Sequence, residues 1–150
     1  MRLAAGPFIQ EALRVTRDDL QAPKLSVDKA YFCNRGEALE DIRKTGYWPY
    51  TFVSTAAPEL PVHYHDHDII GYVIEGTTYL LDESHERIGI SAGDRLVIPK
   101  GAWHAEGEVT ERVVYLVSVR EPVPLFEAIT PQEARGPIPI ERKRRPSSAS

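Results

Sequence analysis

The chain has 150 residues, a formal net charge of -4 and a single cysteine, Cys33. That length suits one domain with its own core. The acidic balance argues against a nucleic-acid partner, and one cysteine excludes an intramolecular disulfide and suits a reducing cytoplasm.

Gly6 and Pro7 interrupt the N-terminus before a long apolar run can form, and no later run approaches bilayer length. A cytoplasmic protein with no membrane partner is therefore expected. Phe8 to Leu20 places Phe8, Ile9, Ala12, Leu13 and Thr16 near one stripe and predicts a short amphipathic helix. Leu25 to Asn34 predicts one or two short strands, with Cys33 packed among apolar neighbours. GEALEDIRKTG predicts a helix ended by Gly46.

From Tyr47 to Arg120 short β-rich runs alternate with turn signals: TFVST, PVHYH, GYVIEG, TTYLLD, ERIGI, DRLVIP, WHAEGE and RVVYLVSV. The spacing leaves no room for crossover helices, so the fold class expected is all-β, with antiparallel strands joined by hairpins and Greek-key connections. DESHE and SAGD supply turns, and Pro99-Lys100-Gly101 supplies a tight corner. Beyond Arg120 the strand signal fades, apart from a turn of helix around LFEAI. The expected organisation is an arm over residues 1–46, a barrel over 47–120 and an extension over 121–150. The extension is expected to be disordered from about residue 136, where composition turns to Pro, Ser and the charged run ERKRR.

Three of the five histidines stand at alternate positions in PVHYHDHD: His63, His65 and His67. Alternate side chains of a strand share a face, so the three imidazoles are expected to point the same way. His104 follows the Pro-x-Gly corner at the start of a later strand, a means of aiming one side chain into a barrel. With His63 and His65 it supplies the nitrogens that a divalent ion needs, leaving coordination positions open. The competing reading is that the histidines decorate a solvent face or make core hydrogen bonds.

The two fragments HYHDHDIIGYVIEG (residues 63–76) and GDRLVIPKGAWH (residues 93–104) resemble the two motifs of the cupin superfamily. The resemblance covers roughly residues 47–120 and implies a jelly-roll barrel, a metal-binding site and a homodimer. Three positions depart from the motifs. Ile69 stands where the family has a glutamate ligand, which reduces the implied set to His63, His65 and His104. Ala57 replaces the opening Gly of the first motif and Glu108 the closing Asn of the second.

Glu106 shares strand parity with His104 and is a candidate acid, base or extra ligand; Glu108 is more readily a frayed strand end. His67 is a candidate substrate-facing group or replacement ligand. Asp68 has the wrong parity unless a bulge intervenes. Trp48, Tyr50, Phe52 and Trp103 are candidate wall or core residues, and Tyr72, Ile74, Tyr79 and Leu81 candidate lining positions. His85, in the turn DESHE, is expected to be exposed and without a role.

Three neutral nitrogens would leave a divalent ion its full charge and suit a small, chelating, anionic substrate. Cupins with that reduced set resemble dioxygenases, so an Fe(II)-dependent dioxygenase is the first expectation, with Zn, Mn or Ni as other metals. An isomerase or lyase using Glu106 or His67 as a proton shuttle, and a non-catalytic small-molecule-binding cupin, are the alternatives.

Overall fold

The computed structural model describes residues 20–138 and residues 141 and 142. The helix expected over Phe8 to Leu20 lies outside these, except that Leu20 itself begins a strand. Twelve strands are described: β1 (Leu20–Gln21), β2 (Ser26–Asp28), β3 (Trp48–Ser54), β4 (His63–Tyr64), β5 (Ile69–Glu75), β6 (Thr77–Leu81), β7 (Arg87–Ser91), β8 (Arg95–Ile98), β9 (Ala105–Glu106), β10 (Val113–Val119), β11 (Gln132–Glu133) and β12 (Glu141–Arg142). Two helices accompany them, α1 (Arg35–Thr45) and α2 (Leu125–Ile129).

One antiparallel sheet has the order β2-β8-β5-β10-β3. A second layer is assembled from β7-β6-β9 and from β11-β4, joined by the isolated bridges Ala57↔Val109 and His63↔His104. The fold is an all-β jelly roll, as the strand spacing predicts. Ile69, Val73, Leu80, Ile90, Leu96, Ile98, Val113 and Val117 form the core of buried residues between the layers. Residues beyond 120 return to the barrel: β11 pairs with β4. The pair β1-β12 joins Leu20–Gln21 to Glu141–Arg142.

β5 is buried on both faces, which is why IIGYVIE reads as a continuous apolar run rather than an alternation. Its outward residue Tyr72 packs with Phe32, Ala38, Ile42 and Leu116 beneath α1. The sequence had Tyr72 and Ile74 lining the barrel, with Tyr79 and Leu81; the opposite parity holds, and Ile69, Gly71, Thr78 and Leu80 face the cavity. The cause lies in the Tyr72 hydroxyl, which donates to Asp41 of α1 at 2.6 Å. A fully enclosed phenol takes the orientation that pairs its oxygen.

α1 starts where the sequence supplies a cap and stops where it supplies a glycine. The Asn34 side chain accepts from the Glu37 amide at 2.9 Å. Gly46 takes a left-handed φ of 77° and its N–H donates to the Ile42 carbonyl. Among the described residues no helix is long and apolar enough to cross a membrane.

Candidate metal centre

His63 and His104 face each other across the bridge between β4 and the approach to β9. The His63 N–H donates to the His104 carbonyl at 2.8 Å and the His104 N–H returns the bond at 2.9 Å. This reciprocal pairing sets the two imidazoles side by side, their centroids 4.7 Å apart. The Pro99-Lys100-Gly101 corner that delivers His104 is held by the other motif. The Gly101 N–H donates to the His65 carbonyl at 2.9 Å, and the Lys100 N–H donates to Asp68 Oδ1 at 2.8 Å. Gly101 has φ 83°, a left-handed conformation that suits glycine. Asp68, engaged there and with Arg120 at 3.3 Å, is not among the ligand atoms that converge.

Glu106 joins the three histidines. Ligand atoms of His63, His65, His104 and Glu106 all lie within 4.8 Å of one another. His63 Nε2 is 2.8 Å from Glu106 Oε2, His104 Nε2 is 3.3 Å from Oε1, and His65 Nε2 is 3.7 Å from Oε1. The histidines are buried, His104 completely. Part of the Glu106 side chain faces the cavity while its Oε2 is enclosed. Next to it, Gly107 lies so close to β6 that an added Cβ would sit 2.5 Å from the Tyr79 carbonyl oxygen. The Gly107 N–H donates to that carbonyl at 2.8 Å, which fixes β9 and with it Glu106.

The second ring nitrogens decide what the cluster can hold. His63 Nδ1 lies 2.7 Å from the Pro61 carbonyl and His104 Nδ1 lies 2.8 Å from the Ala102 carbonyl. A carbonyl only accepts, so each Nδ1 carries the hydrogen and each Nε2 presents a lone pair. Those Nε2 atoms and Glu106 Oε2 are buried and lack a partner in hydrogen-bonding geometry. Acceptors aimed at one another repel unless a cation or a proton lies between them. Burial acts to raise the Glu106 carboxyl, but the surrounding imidazoles of His104, His63 and His65 outweigh it and hold the group well below the usual carboxylate range. Burial opposes the charged form of His63; the Glu106 carboxylate and the Pro61 carbonyl outweigh it and raise its pKa. Three imidazoles and one ionised carboxylate are the donor set of a divalent transition metal, and the residues fit one.

Of the residues singled out in the sequence, His63, His65, His104 and Glu106 are brought together, and His67 is not. β4 ends at Tyr64 and the chain bends at residues 66–67, so the alternation that would align His67 with His65 breaks. His67 neither joins the cluster nor lines the cavity. Ile69 is buried and lines the cavity. Glu108 and His85 are exposed. Trp48 is also exposed, whereas Phe52 is part of the cavity wall and the Tyr50 hydroxyl donates to the Val123 carbonyl.

The cavity beside the cluster measures about 320 Å³. Its wall is mostly apolar: Phe52, Leu60, Ile69, Leu80, Leu96 and Val109 belong to it, together with Ile129 and Pro131 from the C-terminal extension. No sequence signal pointed to those last two residues.

No curated protein matches the chain. Among solved structures, a DUF861 family protein from Thermotoga maritima is similar at 19% identity and a TM-score of 0.46, over 63% of this chain and 98% of that one. A cupin-2 domain containing protein from Shewanella frigidimarina is 28% identical with a TM-score of 0.41, over 49% of this chain and 71% of that one. The polyketide cyclase RemF from Streptomyces resistomycificus is 19% identical with a TM-score of 0.43, over 74% and 81%. Residues 52–120 match the family described as Cupin domain, a span that contains both histidine motifs and Glu106. Over those residues the chain is a cupin domain.

Proposed function

We propose that this cupin is a metal-dependent enzyme acting on a small chelating organic acid, with a dioxygenase reaction and Fe(II) as the metal. The observation that carries the reading is the convergence of His63, His65, His104 and Glu106 beside a mostly apolar cavity, with the Nε2 atoms of His63 and His104 and Glu106 Oε2 buried and partnerless. Those four residues would hold the ion. When bound, it would supply a Lewis acid for a chelated head group and a redox centre for dioxygen.

The remaining chemistry belongs to the chain. The Pro61 and Ala102 carbonyls orient His63 and His104, as such partners commonly do for metal-binding imidazoles. The ionised Glu106 lowers the net charge of a divalent centre from two to one, which matches a monoanionic head group. The apolar wall keeps water from the rest of the substrate. A homodimer, implied by the resemblance, and a cytoplasmic location, expected from the composition, complete the proposal, and light scattering tests the assembly.

The test is elemental analysis of protein purified without added metal, followed by oxygen uptake with 2-oxo acids, β-diketones and thiol carboxylates. One equivalent of metal and substrate-dependent oxygen uptake are expected. Turnover without oxygen would move the assignment to an isomerase or lyase, and protein that neither retains nor takes up metal would end it.

A further inference from the structure

Beside His63, His65 and Glu106, the polar side chains on the cavity wall are those of Ser54, Thr78 and Tyr115. The Thr78 hydroxyl donates to the Glu108 carbonyl at 2.8 Å. The Ser54 hydroxyl turns to the carbonyl of its neighbour Thr55. The hydroxyls of Tyr72 and Tyr79 donate to Asp41 and Glu59. The Tyr115 hydroxyl has no such partner among the described residues, although Tyr115 is half-buried on the cavity wall.

Tyr115 occupies the inward row of β10 with Val113, Val117 and Val119. Its ring packs against Phe52 with centroids 6.3 Å apart. Phenylalanine would serve that packing equally well, so the hydroxyl is the part that packing does not explain. Burial and the charge of Glu106 push the phenol up to about 12, so at neutral pH it is a neutral donor, and Tyr115 shares the cavity wall with His63, His65 and Glu106. A donor opening onto an apolar wall is costly to leave unpaired once water is displaced.

We propose that Tyr115 is a positioning residue whose hydroxyl donates a hydrogen bond to an oxygen of a monoanionic, chelating head group, while the substrate's apolar body lies against Phe52, Leu80 and Leu96. The inference rests on the metal centre proposed above. It narrows the substrate class to an amphiphilic acid such as an aryl or branched-alkyl 2-oxo acid. The single charge follows from the centre's net charge of one, and the apolar body from the wall.

The test uses the full chain loaded with Zn(II), which binds without redox turnover, and titration calorimetry with phenylpyruvate and pyruvate. Tyr115→Phe is expected to bind phenylpyruvate about tenfold more weakly than wild type, the loss of one hydrogen bond to a charged group. Metal content and melting temperature should stay at the wild-type values. Pyruvate, which lacks the apolar body, should bind more weakly than phenylpyruvate to both proteins. Equal phenylpyruvate affinity in two fully metallated proteins would overturn the role of Tyr115 and leave the metal centre standing. A lowered melting temperature would make the hydroxyl structural and overturn it too. No binding of phenylpyruvate by zinc-loaded wild type would overturn the substrate class. A wild type that takes up no zinc would overturn the centre itself, and this inference with it.

Discussion

His63 Nε2 lies 2.8 Å from Glu106 Oε2, a contact between β4 and β9, strands separated in the chain by the whole β5–β8 segment. A carboxylate, which the first motif lacks at Ile69, thus reaches the histidine cluster from β9, two residues beyond His104. Three imidazoles and one carboxylate make a donor set that would suit a divalent ion.

The first prediction is a transfer of the carboxylate. Glu106→Gln keeps the shape and removes the charge, and metal retention during dialysis against a chelator should fall by more than about a hundredfold, beyond the effect of losing an outer partner. Adding Ile69→Glu in that background should restore part of the retention, because residue 69 lines the same cavity. Ile69→Glu alone would bury a second carboxylate near an ionised one and should cost about 2 kcal/mol or more in chemical denaturation. Full metal retention by Glu106→Gln would show that the carboxylate is not a ligand.

His104→Ala and His67→Ala should differ sharply. His104 is enclosed within the cluster, so its removal should lower the metal content well below one equivalent while circular dichroism stays β-rich. His67 lies outside the cluster, and its alanine variant should keep wild-type metal content, as should His85→Ala. Loss of metal in His67→Ala would place a ligand where the geometry has none.

Acid should release the metal. An imidazole must be unprotonated to coordinate, so proton and metal compete for His63. Its pKa is raised, so the proton competes from above the ordinary value of about 6.5. Affinity is therefore full above that raised value and falls as pH drops through it. Glu106, held low, adds no loss in that window. Chelator competition between about pH 5 and 8 reads the curve, and a flat profile would exclude imidazole ligation.

A second pH effect belongs to the fold. Asp94 is buried and accepts from the Ala30 and Ser91 amides, both at 2.9 Å, and from Lys29 Nζ at 2.7 Å. Burial acts to raise its pKa, but Lys29 and the two amides outweigh it and lower the group. A depressed folded pKa gives stability that is present above the unfolded value of about 3.9 and is lost as pH falls through the folded one. Asp94→Asn should cost about 1–3 kcal/mol at pH 7 in urea denaturation. Its deficit relative to wild type should shrink toward pH 3; a constant deficit would mean the charge is irrelevant.

The strands were legible because each is a local pattern: alternation or an apolar run between turn residues, from TFVST to RVVYLVSV. The same locality carried His63, His65 and His104, since a His-x-His step and a Pro-x-Gly corner are properties of adjacent residues. His67 marks the limit of that reasoning, because alternation holds only while the strand lasts and β4 ends at Tyr64. Glu106 marks another: parity put it on the face of His104, but its distance to His63 depends on the bridge His63↔His104 between strands remote in sequence. Tyr72 turned outward because Asp41 of α1 was there to take its hydrogen bond, and Ile129 and Pro131 reached the cavity because β11 pairs with β4. Periodicity is written along the chain, whereas the convergence of side chains is set by register and packing between segments that meet only when it folds.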